Sequence, residues 1–171
     1  MTQREKFVYK VKKAARKKDP YVWGGQGQKL RKLNLMDLCK MEENIDNLCK
    51  VVRYVHTLYY NNVDMTKCKI FDCSGLPTYI LMKMGLLGSD TNAQGLYNIC
   101  KLSNYNKPCS EAQPGDLLFR GNTNKSIVHV GVYIGDMKVI EAKGRAYGVC
   151  ETDYSSGGWG FCGDIIAALT S

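Results

Sequence analysis

Residues 67–86 read KCKIFDCSGLPTYILMKMGL and set a cysteine at the start of an apolar helix. The helix is predicted over 78–85 from the apolar side chains in that range. Gly85 and Gly88 end it, because glycine readily adopts the left-handed conformation found after helices. Cys73 then falls at the predicted first turn of this helix.

A cysteine at the first turn of a helix is chemically distinctive. Unpaired main-chain N–H groups and the helix dipole stabilise a thiolate there, which predicts a lowered pKa and a nucleophilic Cys73. The same N–H groups are suited to hold the oxyanion of a tetrahedral intermediate. The alternative is that Cys73 is a packing residue, as expected for the seven other cysteines of the chain.

After this helix, the chain changes from helical to strand-like patterns. A short helix is predicted over 92–100. From Gln113 onward the apolar segments are short, rich in β-branched or aromatic residues, and separated by Gly, Asn, Asp and Ser. Strands are predicted over 116–120, 127–134, 138–142, 147–151 and 164–169. Helices followed by a meander of antiparallel strands indicate an α+β fold.

One histidine lies in the second of these strands. Alternation along 127–134 places the valines, Val128 included, on the core face and His129 with Gly131 on the opposite face. A histidine on a strand beside a glycine, where another group can approach closely, is well placed as a general base. The alternative is a histidine satisfied by a local hydrogen bond. The other histidine, His56, falls in a predicted helix, so His129 is the favoured partner for a cysteine nucleophile.

An acidic residue in the next strand is a candidate third member of this group. If the hairpin loop between the second and third strands has three residues, 135–137, Glu141 lies opposite Gly131 and shares a face with His129. It can then accept the imidazole N–H and fix the tautomer. If the loop has two residues, 135–136, the two side chains point to opposite faces. Glu141 would in that case be a solvent-facing residue of an edge strand.

The N-terminal part of the chain is predicted to be helical. Residues 3–18 carry apolar side chains at spacings of three and four, and Asp19-Pro20 ends this amphipathic helix. A glycine-rich loop follows over 21–27. The apolar pattern of 33–60 then indicates one or two helices, with a break near 42–44.

The positive charge of the chain is concentrated at its N-terminus. The 171 residues carry a formal charge of +8, to which residues 1–32 contribute +9 and residues 33–171 contribute −1. The favoured interpretation is the solvated face of the N-terminal helix, and the alternative is attraction to anionic polymers or lipid surfaces. A nucleic-acid partner is disfavoured, because the body is nearly neutral and no known nucleic-acid-binding module is present.

The start of the chain leads us to expect synthesis in the cytoplasm, and this expectation guides the interpretation of the cysteines. The first residues contain no apolar segment of signal-peptide length, and no stretch reaches the roughly 18 apolar residues of a membrane-spanning helix. Cytosolic thiols stay reduced, so a disulfide framework is not expected. No cysteine pair has Cys-x2-Cys or Cys-x4-Cys spacing, so no metal site or cofactor is expected.

Four segments, taken in order, resemble a known family. They are 21–25 (YVWGG), 71–76 (FDCSGL), 113–119 (QPGDLLF) and 129–135 (HVGVYIG). Over about residues 20–145 the sequence resembles the NlpC-type family of papain-like cysteine peptidases of bacterial cell walls. The resemblance implies a helix carrying the nucleophile, packed on a five- to six-stranded antiparallel sheet that carries the base.

The resemblance also implies roles for individual residues. Cys73 matches the nucleophile, His129 the general base, and Glu141 the third polar residue, at a position where the family often has His. Tyr21 matches a tyrosine that lines the oxyanion region. The two neighbours of the cysteine, Asp72 and Ser74, match positions that contact the substrate's amino group in some members. The implied reaction is hydrolysis of peptidoglycan stem peptides, typically between D-γ-glutamate and the following diamino acid.

The chain departs from the family pattern by a helical insert at 29–66, which is expected to reshape one wall of the cleft. We expect a single catalytic domain over 1–171, with a basic amphipathic helix at 1–19 that is a candidate site for anionic wall polymers. Without a signal peptide or a wall-binding module, a phage or prophage lysin that acts on the wall is expected. The alternatives are an N-acetylmuramoyl-L-alanine amidase or acyltransferase on the same Cys–His core, and a non-catalytic wall-binding module.

Overall fold

Six α-helices and eight β-strands make up the computed structural model, which describes all 171 residues. The helices are α1 (Gln3–Arg16), α2 (Leu35–Met41), α3 (Ile45–Tyr60), α4 (Gly75–Lys83), α5 (Ala93–Leu102) and α6 (Ile165–Thr170). The strands are β1 (Gln26–Lys29), β2 (Lys69–Phe71), β3 (Asn106–Lys107), β4 (Leu117–Gly121), β5 (Ile127–Gly135), β6 (Lys138–Gly144), β7 (Gly148–Asp153) and β8 (Phe161–Gly163). None of the helices combines the length and the apolar character needed to cross a bilayer.

The main sheet has six antiparallel strands in the order β3-β8-β4-β5-β6-β7. Apolar side chains from one face of this sheet form a single cluster with side chains of α1, α4, α5 and α6. The helix that follows Cys73 is part of this layer, where Leu76 and Leu81 are almost fully buried. The expected α+β fold, with this helix packed on a five- to six-stranded antiparallel sheet, is therefore confirmed.

Helix α1 forms as its sequence predicts. Thr2 and Glu5 make a capping box, in which each side chain accepts a hydrogen bond from the main-chain N–H of the other residue. Phe7 and Val11 are fully buried against the core. Burial of each such side chain stabilises the folded state by about 1.5–3 kcal/mol. The apolar stripe thus fixes this basic helix to the domain body.

The predicted insert leaves and rejoins the fold through paired strands. Strands β1 and β2 are antiparallel neighbours, so the segment between them starts and ends at the same place. It contains α2 and α3, and the predicted break lies between them, where the Asn44 side chain caps α3 by accepting the Asn47 N–H at 2.9 Å. A second, small apolar cluster joins Leu38 and Val51 of the insert to Val22 and Ile70 of the domain body.

Two expectations from the sequence are wrong. The segment 164–169, expected as a strand, is α6, because the Asp164 carboxylate caps a helix by accepting the Ala167 N–H at 2.9 Å. The last strand is β8, just before it. Val128, expected in the core, is 72% exposed, because a β-bulge leaves it as the extra residue of β5 between Ile127, which pairs with Gly121, and His129, which pairs with Arg120.

Candidate active site

The turn that carries Cys73 is held by the side chain of Asp72. One Asp72 carboxylate oxygen, Oδ1, accepts the Gly75 N–H at 2.7 Å and the Ser74 hydroxyl at 3.2 Å, and so caps α4. The other, Oδ2, accepts the Gly24 N–H at 3.0 Å and ties down the glycine-rich loop. Helix α4 begins at Gly75, three residues before the predicted range of 78–85, and Cys73 lies just before the helix instead of in its first turn.

The Cys73 thiol is poorly solvated and close to the start of β5. Its Sγ contacts the carbonyl oxygen of Val128 at 4.0 Å, the outer limit for a sulfur hydrogen bond. Burial, followed by the charge of Asp72, raises the pKa of this thiol to about 11, although the N–H groups of Val130, Ser74 and Cys73 act in the opposite direction. The expected lowering of the pKa is therefore wrong, because desolvation outweighs the helix terminus.

His129 and Glu141 meet on one face of the sheet. The β5–β6 turn contains two residues, Asp136 and Met137, both with left-handed φ angles of 52° and 56°. A bulge next to this turn restores the register expected for a three-residue loop, with Val132 opposite Ile140. His129 Nε2 consequently lies 2.7 Å from Glu141 Oε2.

The carboxylate of Glu141 is buried but well supplied with donors. It is 2% exposed and accepts hydrogen bonds from the Thr152 hydroxyl at 2.7 Å and from Arg120 Nη2 at 3.2 Å, in addition to His129. Burial alone would raise its pKa, but the hydrogen bonds from His129 and Thr152, together with the nearby positive charges, lower it. An ionised carboxylate only accepts, so His129 donates through Nε2 and its Nδ1 is left as the basic nitrogen.

The aromatic ring of Trp159 packs against His129 and Arg120, two of the side chains that donate to Glu141. The indole of Trp159 stacks on the His129 ring at 5.9 Å between centroids, and the Arg120 guanidinium lies 4.9 Å from the indole. Gly131 permits the approach, because a Cβ atom there would lie 2.8 Å from Trp159 and 2.7 Å from Val139. The close approach at Gly131 agrees with the sequence, whereas Trp159, Arg120 and Thr152 carry no sequence signal that marks them as site residues.

Tyr21 is buried on the other side of Cys73. It forms a bridge with Phe71, and the Arg145 guanidinium lies 5.4 Å from the centre of its ring. Burial, followed by the charges of Cys73 and Asp72, raises the pKa of its hydroxyl. Tyr21 is therefore a neutral phenol in the electrostatic neighbourhood of the thiol and can donate a hydrogen bond.

The helical insert contributes one buried carboxylate to this region. Glu42, at the end of α2, accepts Arg145 Nε at 2.6 Å and the main-chain N–H of Trp23 at 3.1 Å. Its side chain is fully buried and that of Arg145 is 17% exposed. The pair thus connects the insert to the loop that carries Tyr21 and to the β6–β7 turn. No sequence signal identified it, because its members are 103 residues apart.

All eight cysteines are free thiols. No group of three or more His, Cys, Asp or Glu side chains is arranged to hold a metal ion. The six residues singled out from the sequence fall into two neighbouring groups, which are Cys73 with Tyr21, Asp72 and Ser74, and His129 with Glu141.

A cysteine before a helix that packs on an antiparallel sheet, with a His–Glu pair on adjacent strands, defines an α+β fold of the papain-like type. Residues 18–161 match the NlpC/P60 family, and the chain belongs to this family. All six candidate residues lie within the matched range.

The relatives include named endopeptidases. This chain is 40% identical to the probable endopeptidase p60 of Listeria grayi over 90 residues, which are 53% of the chain. The same segment covers only 16% of the Listeria protein. The chain thus corresponds to a small part of that relative.

Solved structures with this fold include active and inactive proteins. The peptidoglycan hydrolase RipB of Mycobacterium tuberculosis has a TM-score of 0.58 at 24% identity, over 96% of this chain and 68% of RipB. RipD of the same organism has a TM-score of 0.60 at 16% identity, over 95% of this chain and 97% of RipD. RipD is described as a non-catalytic NlpC/p60 domain protein adapted to peptidoglycan binding. The fold alone therefore does not establish catalysis.

Proposed function

We propose that this protein is a cysteine endopeptidase that hydrolyses amide bonds in the stem peptides of bacterial peptidoglycan. The observation that carries the proposal is the 2.7 Å hydrogen bond between His129 Nε2 and the buried carboxylate of Glu141. The main chain immediately before His129 contacts the Cys73 thiol. A structural histidine would not need a buried, charged partner that costs free energy to desolvate.

In the proposed reaction, His129 Nδ1 takes the thiol proton as the Cys73 sulfur attacks the carbonyl carbon of the scissile amide. Glu141 stabilises the imidazolium that forms. The main-chain N–H of Cys73 and the hydroxyl of Tyr21 hold the oxyanion. The C–N bond then breaks, the imidazolium returns the proton to the leaving amine, and water hydrolyses the thioester with His129 again as base.

Asp72 and Ser74 are proposed to receive the amino group of the substrate. An ionised carboxylate has about four acceptor positions. Protein donors occupy three of those on Asp72, two on Oδ1 and one on Oδ2. One position on Oδ2 is left for an ammonium group. We propose the bond between D-γ-glutamate and the following diamino acid as the site of cleavage, and lysis of the cell wall as its consequence. A phage or prophage origin stays a prediction.

The experiment is digestion of purified peptidoglycan, with the released fragments identified by mass. Wild type is compared with Cys73→Ala and with Cys49→Ala, a control that removes an exposed thiol on α3. We expect new D-γ-glutamyl termini with wild type and with Cys49→Ala, and none with Cys73→Ala. Unchanged release by Cys73→Ala would refute the thiol mechanism.

Two other results would replace the proposal by its alternatives. Fragments with an intact L-Ala terminus and a free muramyl carboxyl group would show an amidase. Retention on peptidoglycan with no new termini in any variant would show a binding module. The raised pKa of the half-buried Cys73 thiol, which contacts the Val128 carbonyl and not His129, makes this second result the one to test for.

A further inference from the structure

We propose that a concave basic pocket between α1, β2 and α4 binds a single phosphodiester chain of an anionic wall polymer. The pocket has a volume of about 340 Å³. Five lysines line it, namely Lys10, Lys13, Lys17, Lys69 and Lys83. This site lies outside the candidate active site, and only its biological setting rests on the proposed function.

The lysines of this pocket have no carboxylate partners of their own. None of the five forms an ion pair, in contrast to Arg4 on the same helix, which pairs with Asp116 at 2.8 Å. Asp19 is the one acidic residue of the lining. It is 2% exposed, and its Oδ1 accepts the main-chain N–H of Lys69 at 2.9 Å. With five ammonium groups and one carboxylate that already accepts a hydrogen bond, the pocket has a positive electrostatic potential that attracts anions.

The positions of these cations are set by the fold. Lys10, Lys13 and Lys17 follow each other at spacings of three and four, so they share one side of α1 and its end. The Lys69 ammonium is hydrogen-bonded to the Tyr79 hydroxyl and lies 4.4 Å from the centre of its ring. Lys83 is 5.9 Å from the same ring centre. The pocket therefore presents ammonium donors on two walls, among which Lys69 is held in place by its hydrogen bond.

The shape and chemistry of the pocket favour a single polymer chain. A concave site between two helices can surround one flexible phosphodiester strand, whereas a lipid surface would reach only its rim. Lysine ammonium groups bind phosphate as point charges and require no base or sugar pattern. The Tyr79 ring is already in contact with Lys69 and Phe71, so it offers no free face on which a nucleic-acid base can stack.

The test is a binding measurement with short poly(glycerol phosphate) at two salt concentrations. Wild type is compared with a pocket variant, Lys13→Gln/Lys17→Gln/Lys83→Gln. The control variant, Lys50→Gln/Lys101→Gln/Lys125→Gln, carries the same charge change at exposed positions that do not line the pocket. Vesicles of phosphatidylglycerol and single-stranded DNA serve as the lipid and nucleic-acid probes. Circular dichroism checks that each variant is folded.

We expect the pocket variant to bind the polymer about tenfold more weakly and with a shallower salt dependence, because it makes fewer phosphate contacts. The control should lose less than about threefold. Equal losses in the two variants, or no loss in either, would overturn the proposal. So would binding to vesicles or DNA that is as tight as polymer binding and equally sensitive to the pocket substitutions. Binding needs no hydrolysis, so it is measured in parallel on Cys73→Ala, and failure of the proposed peptidase activity would leave this result standing.

Discussion

Cys73 combines a half-buried thiol with a neighbouring negative charge. The Asp72 carboxylate that caps α4 is also the residue whose charge opposes ionisation of the thiol. Asp72 therefore stabilises the start of α4 and, by its charge, raises the pKa of the Cys73 thiol. In the resting protein the thiol is protonated at neutral pH, so the proposed attack requires proton transfer to His129 rather than a preformed thiolate.

The ionisation of Cys73 can be followed by its alkylation with iodoacetamide. Only the thiolate reacts, so with a pKa of about 11 the rate should keep rising through pH 9 to 10. Asp72→Asn should move this rise to lower pH, because it removes a charge that opposes ionisation. Modification is measured peptide by peptide, with exposed Cys49 as the internal reference. A rate that is level from pH 5 to 8 would contradict this prediction.

Glu141 is expected to act through His129 without touching the substrate. In Glu141→Gln, an amide replaces the charged acceptor and no longer stabilises the imidazolium. We expect kcat on a soluble stem peptide to fall by about 10- to 1,000-fold, with KM changed less than about threefold. A matched control is Glu151→Gln, an exposed position on β7. A change confined to KM would show that Glu141 contributes to binding instead.

At the level of elements, the Glu42–Arg145 pair makes the insert part of the candidate site. One buried carboxylate holds the end of α2, the loop after Tyr21 and the β6–β7 turn together. Because Arg145 also lies over the Tyr21 ring, displacement of the insert would alter the surroundings of the proposed oxyanion donor. Through this pair, the insert is in contact with the loop and the turn that surround Tyr21.

Loss of this pair should be costly for stability. Arg145→Met leaves the Glu42 carboxylate buried without its cation, and we expect the free energy of unfolding to fall by about 3–5 kcal/mol. The double variant Glu42→Gln/Arg145→Met should recover part of this loss, since no charge is then buried. Urea unfolding measures both, with exposed Arg53→Met as control. Equal stability of Arg145→Met and wild type would show that water, not Arg145, satisfies Glu42.

Local patterns in the sequence were sufficient for much of the fold, and long-range packing explains the failures. Apolar spacing predicts α1 and the two helices of the insert with the break between them, and short β-branched or aromatic segments predict the four strands from β4 to β7. The segment after Gly163 was misassigned because two isoleucines favour a strand, while the cap of α6 depends on one Asp164 side chain. The β5–β6 turn has two residues, 136–137, where the sequence analysis allowed 135–137 or 135–136, and the bulge that keeps the register of the three-residue loop has no sequence signal.

The candidate site was predictable only where its residues occur in motifs. Cys73 and His129 stand in recognisable segments, and Glu141 required a condition on register that the structure meets. Arg120, Thr152 and Trp159 come from three different strands or loops and have no common sequence signal. The pKa of Cys73 could not be predicted, because burial is a property of the assembled fold.

At the scale of the whole molecule, the dependence of stability on pH is partly set by Asp19. Burial, opposed by the Lys69 N–H and nearby lysines, raises the pKa of this carboxyl from 3.8 to about 6. Between these values the folded state holds a proton that the unfolded state has lost. Asp19 therefore lowers the free energy of unfolding as pH rises from below 4 to above 6.

Asp19→Asn should remove this contribution while keeping an oxygen that can accept the Lys69 N–H. We expect the variant to be more stable than wild type at pH 7, by up to about 3 kcal/mol, and equal to it near pH 4. Urea unfolding at several pH values measures the difference, with exposed Glu43→Gln as reference. A variant that is less stable at pH 7 would show that the charge of Asp19 is needed.

The separate apolar cluster of the insert has a consequence for motion. Residues of α2 and α3 share an apolar cluster, distinct from that of the main sheet, with Val22, Cys68 and Ile70, and the chain enters and leaves them through the paired strands β1 and β2. Such a unit can undergo local unfolding, with exchange of its amide hydrogens, while the six-stranded sheet stays intact. Each opening would free Glu42 from Arg145 and Trp23 but leave His129 and Glu141 in place. We therefore expect amide hydrogens of α2 and α3 to exchange faster than those of β5 and β6, the strands that carry His129 and Glu141.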